Sequence, residues 1–301
     1  MAGIRSAADD AVANSADSGF VFFPAPVPAL PVLLSVPHAG RHYPAALLAR
    51  CRVSPEVLLR LEDRYADFLI SGLTENGFPA IVATTARAAL DLNRDPRDID
   101  GQVISGIPRE RPLIQSIKQR GGLGLFPRSL PRAGQLWRRQ MPWAEAVALI
   151  DRLHAGYHAA IETVMDAVQA QHGAALLLDI HSMPPLALPG CGGRRPEVVI
   201  GDRFGSSAST RFSELARMVA ADHGYAVALN HPYPGYYLIE RHGRPANDRH
   251  AIQIEIARDI YLDEGLDQPA AGLRRVRTML NDLAMALGEE AIRNDFPLAA
   301  E

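Results

Sequence analysis

Cysteine is scarce in this chain, with only Cys51 and Cys191 in 301 residues. A protein of this length that relied on disulfides would carry more, so the two read as free thiols in a reducing compartment. Long hydrophobic runs are also missing. No apolar stretch approaches the roughly 18 residues that span a bilayer. The first 19 residues are rich in Ala, Ser and Asp and contain no apolar segment of the signal-peptide kind. These absences predict a cytoplasmic protein with a mobile tail over 1–19 and no membrane partner. A basic excess is lacking too: Lys and Arg total 31 against 34 Asp and Glu, without a Lys/Arg run, which argues against a nucleic-acid partner. The arginines stand singly beside Gly, Pro and acidic residues, a setting suited to small anions.

Apolar residues are plentiful, at 48% of the chain, enough for a sizeable core. Val32–Val36 is a short apolar run that predicts a buried strand, and it ends in the turn Pro37-His38-Ala39-Gly40. Ser54 and Pro55 have the form of an N-cap and first helical residue, and Val57, Leu58, Leu61, Tyr65, Phe68 and Leu69 continue at helical spacing up to Gly77. Further strands are predicted at 80–83, 174–181, 196–201, 225–230 and 251–256. Helices are predicted at 142–171, 207–223 and 273–291. Alternating strands and helices imply an α/β fold with a mostly parallel sheet. Residues 20–301 are expected to form a single catalytic domain. From about 95 to 131 the periodicity fails, and a loop of that length in a compact domain is usually functional. Its cluster Gly121-Gly122-Leu123-Gly124 lacks the dinucleotide fingerprint and no strand clearly precedes it.

Ligands of such sheets sit outside the carboxyl ends of the strands. Those ends carry His38, Arg87, Asp179-Ile180-His181 and Asn230-His231. His38 and His181 follow two predicted strands in the same way, so neighbouring strand ends can bring them together. Neutral imidazoles and a carboxylate are what zinc takes in a catalytic site. Glu62 and Asp63, on the predicted helix, are candidates for the carboxylate, although a solvated helix face would use the same residues. Asp179 shares a strand face with His181 and could orient its ring or simply bond a loop. Glu255 lies within Ile252-Gln253-Ile254-Glu255-Ile256: either an edge strand with a wet face, or a general base in the core. His154 and His158 share a helix face, extended by Glu162, and form a competing metal pair with no third ligand specified.

Five segments, in order, resemble the N-formylglutamate amidohydrolase family. They are Ser-Val-Pro-His-Ala-Gly at 35–40, Glu-Asp-Arg-Tyr-Ala-Asp at 62–67, Asp-Leu-Asn-Arg at 91–94, Asp-Ile-His-Ser at 179–182, and the stretch from Pro232-Tyr233-Pro234-Gly235-Tyr236 through His242-Gly243-Arg244-Pro245 to Gln253-Ile254-Glu255-Ile256. The family is related to zinc carboxypeptidases and aspartoacylase-type deacylases. The resemblance therefore implies a three-layer α/β/α, zinc carboxypeptidase-like fold with a mixed, mostly parallel sheet. It also implies one zinc ion per chain on His38, Asp63 and His181, with Glu62 the alternative to Asp63, since the His-x-x-Glu motif of carboxypeptidases is absent after His38. By the same resemblance Glu255 is the general base, Arg87 steadies an oxyanion, and Asn93 and Arg94, joined by Arg241 or Arg244, bind the substrate. The implied substrate is a small anionic N-acyl amino acid such as N-formyl-L-glutamate, and the family name suggests histidine breakdown. Iron or cobalt could occupy the same ligands. Other N-acyl amino acid deacylases, small-peptide carboxypeptidases and a non-catalytic binder on the same fold remain the alternatives.

Overall fold

The computed structural model describes residues 18–25, 28–187 and 193–293. The tail expected over 1–19, apart from Ser18 and Gly19, and Cys191 lie outside the described residues. Seven strands form one sheet: β1 (Phe20–Phe23), β2 (Val32–Val36), β3 (Ala80–Ala83), β4 (Ala175–Met183), β5 (Val198–Gly201), β6 (Val227–Leu229) and β7 (Arg249–Ala257). Their spatial order is β1-β3-β2-β4-β7-β5-β6. The central four, β3, β2, β4 and β7, run parallel, while β1 pairs antiparallel with β3 and β5 with β7. Buried on both faces, β2 and the first half of β4 show the near-continuous apolar character that parallel strands require, whereas the later half of β4 and all of β7 mix apolar with polar residues.

Four main helices cover the sheet: α1 (Gly156–His172), α2 (Thr210–Asp222), α3 (Tyr237–His242) and α4 (Gly272–Ile292). Alternate strand residues Val32, Leu34, Leu176, Leu178, Ile180, Ile252, Ile254 and Ile256 pack against α2 and α4. The intervening Leu33, Ala175, Leu177 and Ala251 pack on the opposite face against Tyr157, Ile161, Val164 and Val168 of α1. The result is the three-layer α/β/α arrangement, each fully buried aliphatic side chain contributing about 1.5–3 kcal/mol. The helix expected over 142–171 is present but divided: Trp143–Leu149 and α1 are joined by a π-type turn at Ile150–Ala155, and Gly173 ends α1 at φ +80°.

Two expectations are corrected. The predicted helix over 55–77 is broken into Pro55–Leu58, a 3-10 turn at Leu59–Leu61, Ala66–Leu69 and Ser71–Glu75. Its apolar spacing is real, since Leu58, Leu61 and Leu69 are buried, but Glu62 is extended and Tyr65 is left-handed at φ 56°. The break carries Glu62 and Asp63 out of any helix. The second correction concerns Asn230. Because β5 and β6 run against β7, Asn230 emerges at the opposite end of the strands from the carboxyl ends of β2, β4 and β7, where it donates to Asp202 at 2.7 Å.

Gly40 packs its α-carbon onto the Thr84–Thr85 backbone, and a β-carbon there would collide with the Thr85 carbonyl. That contact fixes the turn carrying His38 against the end of β3. Gly40→Ala is expected to force the two segments apart at a cost of about 1–3 kcal/mol. Thermal denaturation monitored by circular dichroism should show the melting temperature falling by roughly 2–10 °C.

Candidate active site

Towards the carboxyl ends of the central strands, the α1-facing side of the sheet changes from apolar to polar. Ser35 is level with Asp179, Asp179 with Gln253, and His181 with Glu255. All five are buried. A side-chain period of two puts them on one face while their neighbours Ile180, Ile254 and Ile256 remain in the core.

His38 reaches this patch from the turn after β2. The His38 and His181 rings are 4.8 Å apart, and each turns Nδ1 toward Asp63 Oδ2, at 3.4 and 3.0 Å. Each ring gives its other nitrogen to a second carboxylate: His38 Nε2 is 2.7 Å from Asp91, and His181 Nε2 is 2.8 Å from Asp179. A proton on Nε2, held by a carboxylate, leaves the Nδ1 lone pair facing inward, which is the usual support for a metal-binding imidazole. His38 Nδ1 is buried and has no hydrogen-bond partner. Among the described residues, His38, Asp63 and His181 are the only His/Cys/Asp/Glu group whose ligand atoms gather closely, within 4.8 Å of one another. The donor set, two imidazoles and one carboxylate, suits a divalent ion such as zinc.

The break between helical turns places Asp63 here. Its backbone N–H donates to the His38 carbonyl at 2.9 Å. Its Oδ1 accepts from Ser182 (3.2 Å) and Arg258 (3.3 Å), which leaves Oδ2 for the imidazoles. Against the cost of burial, the hydrogen bond with His181 and the nearby His38 ring hold the Asp63 carboxyl well below the usual range. Burial opposes a charge on His181 as well, but Asp179 and Asp63 together raise it well above its ordinary value.

Glu255 borders the triad, with Oε1 accepting from Gln253 at 2.9 Å. Burial raises it to about 7, aided by the Asp63 and Asp179 charges and opposed by His181 and Arg87. The reading of its strand as a wet edge is set aside, because β7 is flanked on both sides and is wholly buried. Asp91 gathers Arg87 (2.8 Å), Arg94 (3.6 Å) and its own His38 contact, and these hold it well below the carboxylate range despite burial. Arg94 is fixed by the carbonyls of Leu123 (2.9 Å) and Asn93 (2.7 Å). His38, Asp63, His181, Glu255, Arg87 and Arg94 line an open cavity of about 760 Å³.

The remaining candidates fall in different places. Glu62 turns away from the imidazoles and accepts from Tyr43 (2.5 Å) and Arg64 (2.9 Å). Asn93 borders the cavity, but its amide is engaged, accepting from Leu238 N–H at 2.8 Å and donating to Gln253 at 3.3 Å. Arg241 and Arg244 do not reach the cavity. Arg241 donates to the Tyr237 hydroxyl (2.9 Å), and Arg244 stands 3.7 Å from Glu162. The competing pair His154 and His158 donates to the carbonyls of Arg94 (2.8 Å) and Leu92 (2.9 Å), with His158 Nδ1 bonded to His242 at 2.9 Å. These histidines brace the backbone on either side of Asn93, and no metal cluster forms there among the described residues. Sequence reasoning anticipated that Asp91 pairs with Arg87 or Arg94 but missed its contact with His38, and it missed Arg258 altogether. Asp91 stood as an acid in the apolar stretch 88–92, a sign that a partner was needed; Arg258 follows directly on the carboxyl end of β7.

Glu255 gives a pH test in protein stripped of divalent ions. A carboxyl raised from 4.5 to about 7 keeps its proton in the fold where the unfolded chain has lost it. Stability from this group is therefore complete below about 4.5 and is lost as pH rises through 7. Glu255→Gln, which mimics the protonated acid, is expected to raise stability at pH 8 by a few kcal/mol, at about 1.4 kcal/mol per pKa unit. Urea titrations from pH 8 down to pH 5 should show the gain shrinking; a gain that does not vary with pH contradicts the assignment.

The model of the N-formylglutamate amidohydrolase family matches residues 30–262. The chain is 29% identical over 238 residues to the N-formylglutamate deformylase of Pseudomonas aeruginosa, covering 78% of this chain and 83% of that protein. It is 27% identical over 242 residues to the N-formylglutamate deformylase of Pseudomonas putida, with the same coverage of 78% and 83%. Among solved structures, N-formylglutamate amidohydrolase from Ralstonia eutropha JMP134 superposes with a TM-score of 0.83 at 32% identity, covering 91% of this chain and 98% of that one. An Agrobacterium tumefaciens gene product shares the fold, with a TM-score of 0.67 at 18% identity over 94% of this chain and 99% of that one. With a match across most of its length, this chain belongs to the N-formylglutamate amidohydrolase family.

Proposed function

We propose that this protein is a zinc-dependent hydrolase that removes the formyl group from N-formyl-L-glutamate. The observation carrying this reading is the buried His38–Asp63–His181 set, with Glu255 beside it, at the wall of an arginine-lined cavity. That the chain is an enzyme acting on an amide follows from its family and its named relatives. A divalent ion on the three ligands would lower the pKa of a bound water toward about 7 and polarise the acyl oxygen.

The chain's own groups supply the rest. Glu255 takes a proton from the attacking water, the oxygen adds to the formyl carbon, and the carbon–nitrogen bond breaks as Glu255 returns the proton to the amine. Formate and the free amino acid leave. Arg87 spends Nε and Nη2 on Asp91, and its Nη1 has no protein acceptor among the described residues, so it is available to steady the developing oxyanion. Arg94, preset by two backbone carbonyls, offers its Nη2 edge to the substrate carboxylate. The cavity of about 760 Å³ exceeds what a formyl group needs, which makes longer N-acyl amino acids the comparison substrates.

Metal content and formate release, measured on the same purified sample, test the proposal. The expected result is about one zinc per chain with N-formyl-L-glutamate hydrolysed, both lost in His181→Ala and in Asp63→Asn. Glu62→Gln should keep the metal. Arg87→Met is expected to lower kcat by about 10²–10³ at unchanged metal content. Zinc without formate release would send the search to other N-acyl groups. A wild-type protein with neither metal nor activity would overturn the hydrolase reading.

A further inference from the structure

Of the 31 side-chain cations in this chain, 30 are arginine and a single one is lysine. That residue, Lys118, lines the cavity. Each arginine around it already holds at least one protein partner. Arg87 and Arg94 face Asp91, Arg64 pairs with Glu62 and Asp267, Arg258 holds Asp63, and Arg60 donates to the Pro131 carbonyl. Lys118 makes no ion pair among the described residues. Its Nζ lies 5.1 Å from the centre of the Tyr236 ring and 5.9 Å from that of Tyr233.

The lysine is held in place by its surroundings. It sits on the short helix Ile117–Arg120, capped by Ser116, whose hydroxyl donates to Asp98 at 2.7 Å. The Lys118 carbonyl accepts from Leu123 N–H at 2.8 Å, and the Leu123 carbonyl accepts from Arg94 Nε at 2.9 Å. Arg94 in turn lies 4.8 Å from the Tyr236 ring centre. A guanidinium and an ammonium therefore both lie against one aromatic ring, and their separation cannot exceed the sum of the two ring distances. A half-buried ammonium gains little from aromatic faces alone and much more from an anion.

We propose that Lys118 selects the substrate's second carboxylate, the one on the amino-acid side chain, while Arg94 takes the α-carboxylate. The inference rests on the deformylase reading and adds to it the residue that distinguishes a dicarboxylate from its neutral amide. The two carboxyl carbons of an extended five-carbon dicarboxylate lie roughly 5 Å apart, which two cations on one ring can bracket.

Two measurements test this, one of which needs no turnover. In steady-state kinetics, the preference for N-formyl-L-glutamate over N-formyl-L-glutamine, as a ratio of kcat/KM, should fall about 10- to 100-fold in Lys118→Met, mainly through KM. It should be largely retained in Lys118→Arg. An unchanged ratio in Lys118→Met overturns the proposal. The second measurement uses the uniqueness of the lysine. Acylation by an amine-selective reagent, followed by peptide mass mapping, should be slowed at Lys118 by glutarate and not by glutarate monoamide, with the α-amino group as internal control. Equal rates with both compounds overturn the proposal. Protection by glutarate in a protein that releases no formate would keep Lys118 and discard the deformylase reading. Formate release with no protection and an unchanged ratio would do the reverse, and failure of both would discard both.

Discussion

Three carboxylates, those of Asp63, Asp91 and Asp179, lie out of water on one side of the sheet, and the local structure follows from the need to match them. An unpartnered charge there would cost several kcal/mol. Asp179 is met by His181 and by the Ser35 hydroxyl at 3.0 Å. Asp91 is met by His38, Arg87, Arg94 and the Asn93 amide. Asp63 is met by both imidazoles, Ser182 and Arg258. Each acid thus fixes a base, and each base comes from a different segment. The network ties the ends of β2, β3, β4 and β7 together where ordinary apolar packing has stopped.

The same network explains what could and could not be read in the sequence. β2 and β3 appear at the predicted residues because their apolar runs are short, bounded by turns and destined for burial on both faces. His38 and His181 could be picked out because each ends such a run. Asp63 was a candidate beside Glu62, but the break in the helix around it was not legible, since Leu58, Leu61 and Leu69 keep helical spacing while the backbone between them opens to meet the His38 carbonyl. Helical periodicity reports which side chains face the core, not whether the hydrogen-bond ladder is continuous. Arg241 and Arg244 were expected near the substrate because they adjoin the family-like stretch; Arg241, on α3, instead faces Tyr237, and Arg244, in the turn after α3, faces Glu162.

The region without periodicity, about 95–131, is neither a strand-and-helix unit nor a bare loop. Ile99, Val103, Ile104, Leu125 and Phe126 anchor it in the core on the α1 side. Leu123, Leu130 and Pro131 from its later half reach the cavity. It has little regular structure because its contacts run to distant segments, as when Asp91 N–H donates to the Leu125 carbonyl at 2.8 Å. Single-residue contacts of that kind leave no repeating signature in a sequence.

The two-sided strands have a consequence for descent. Ile180, Ile254 and Ile256 maintain the fold, while Asp179, His181 and Glu255, one position away, make up the polar wall of the candidate site at a cost in stability. Substitutions of the second group by apolar residues of like size would leave the core intact and relieve buried charge. A lineage released from selection for turnover would therefore drift toward a sturdier and inert protein with the same backbone. The persistence of a polar half-face in a relative is thus a mark of continued use, and its loss need not be visible in the shape of the chain.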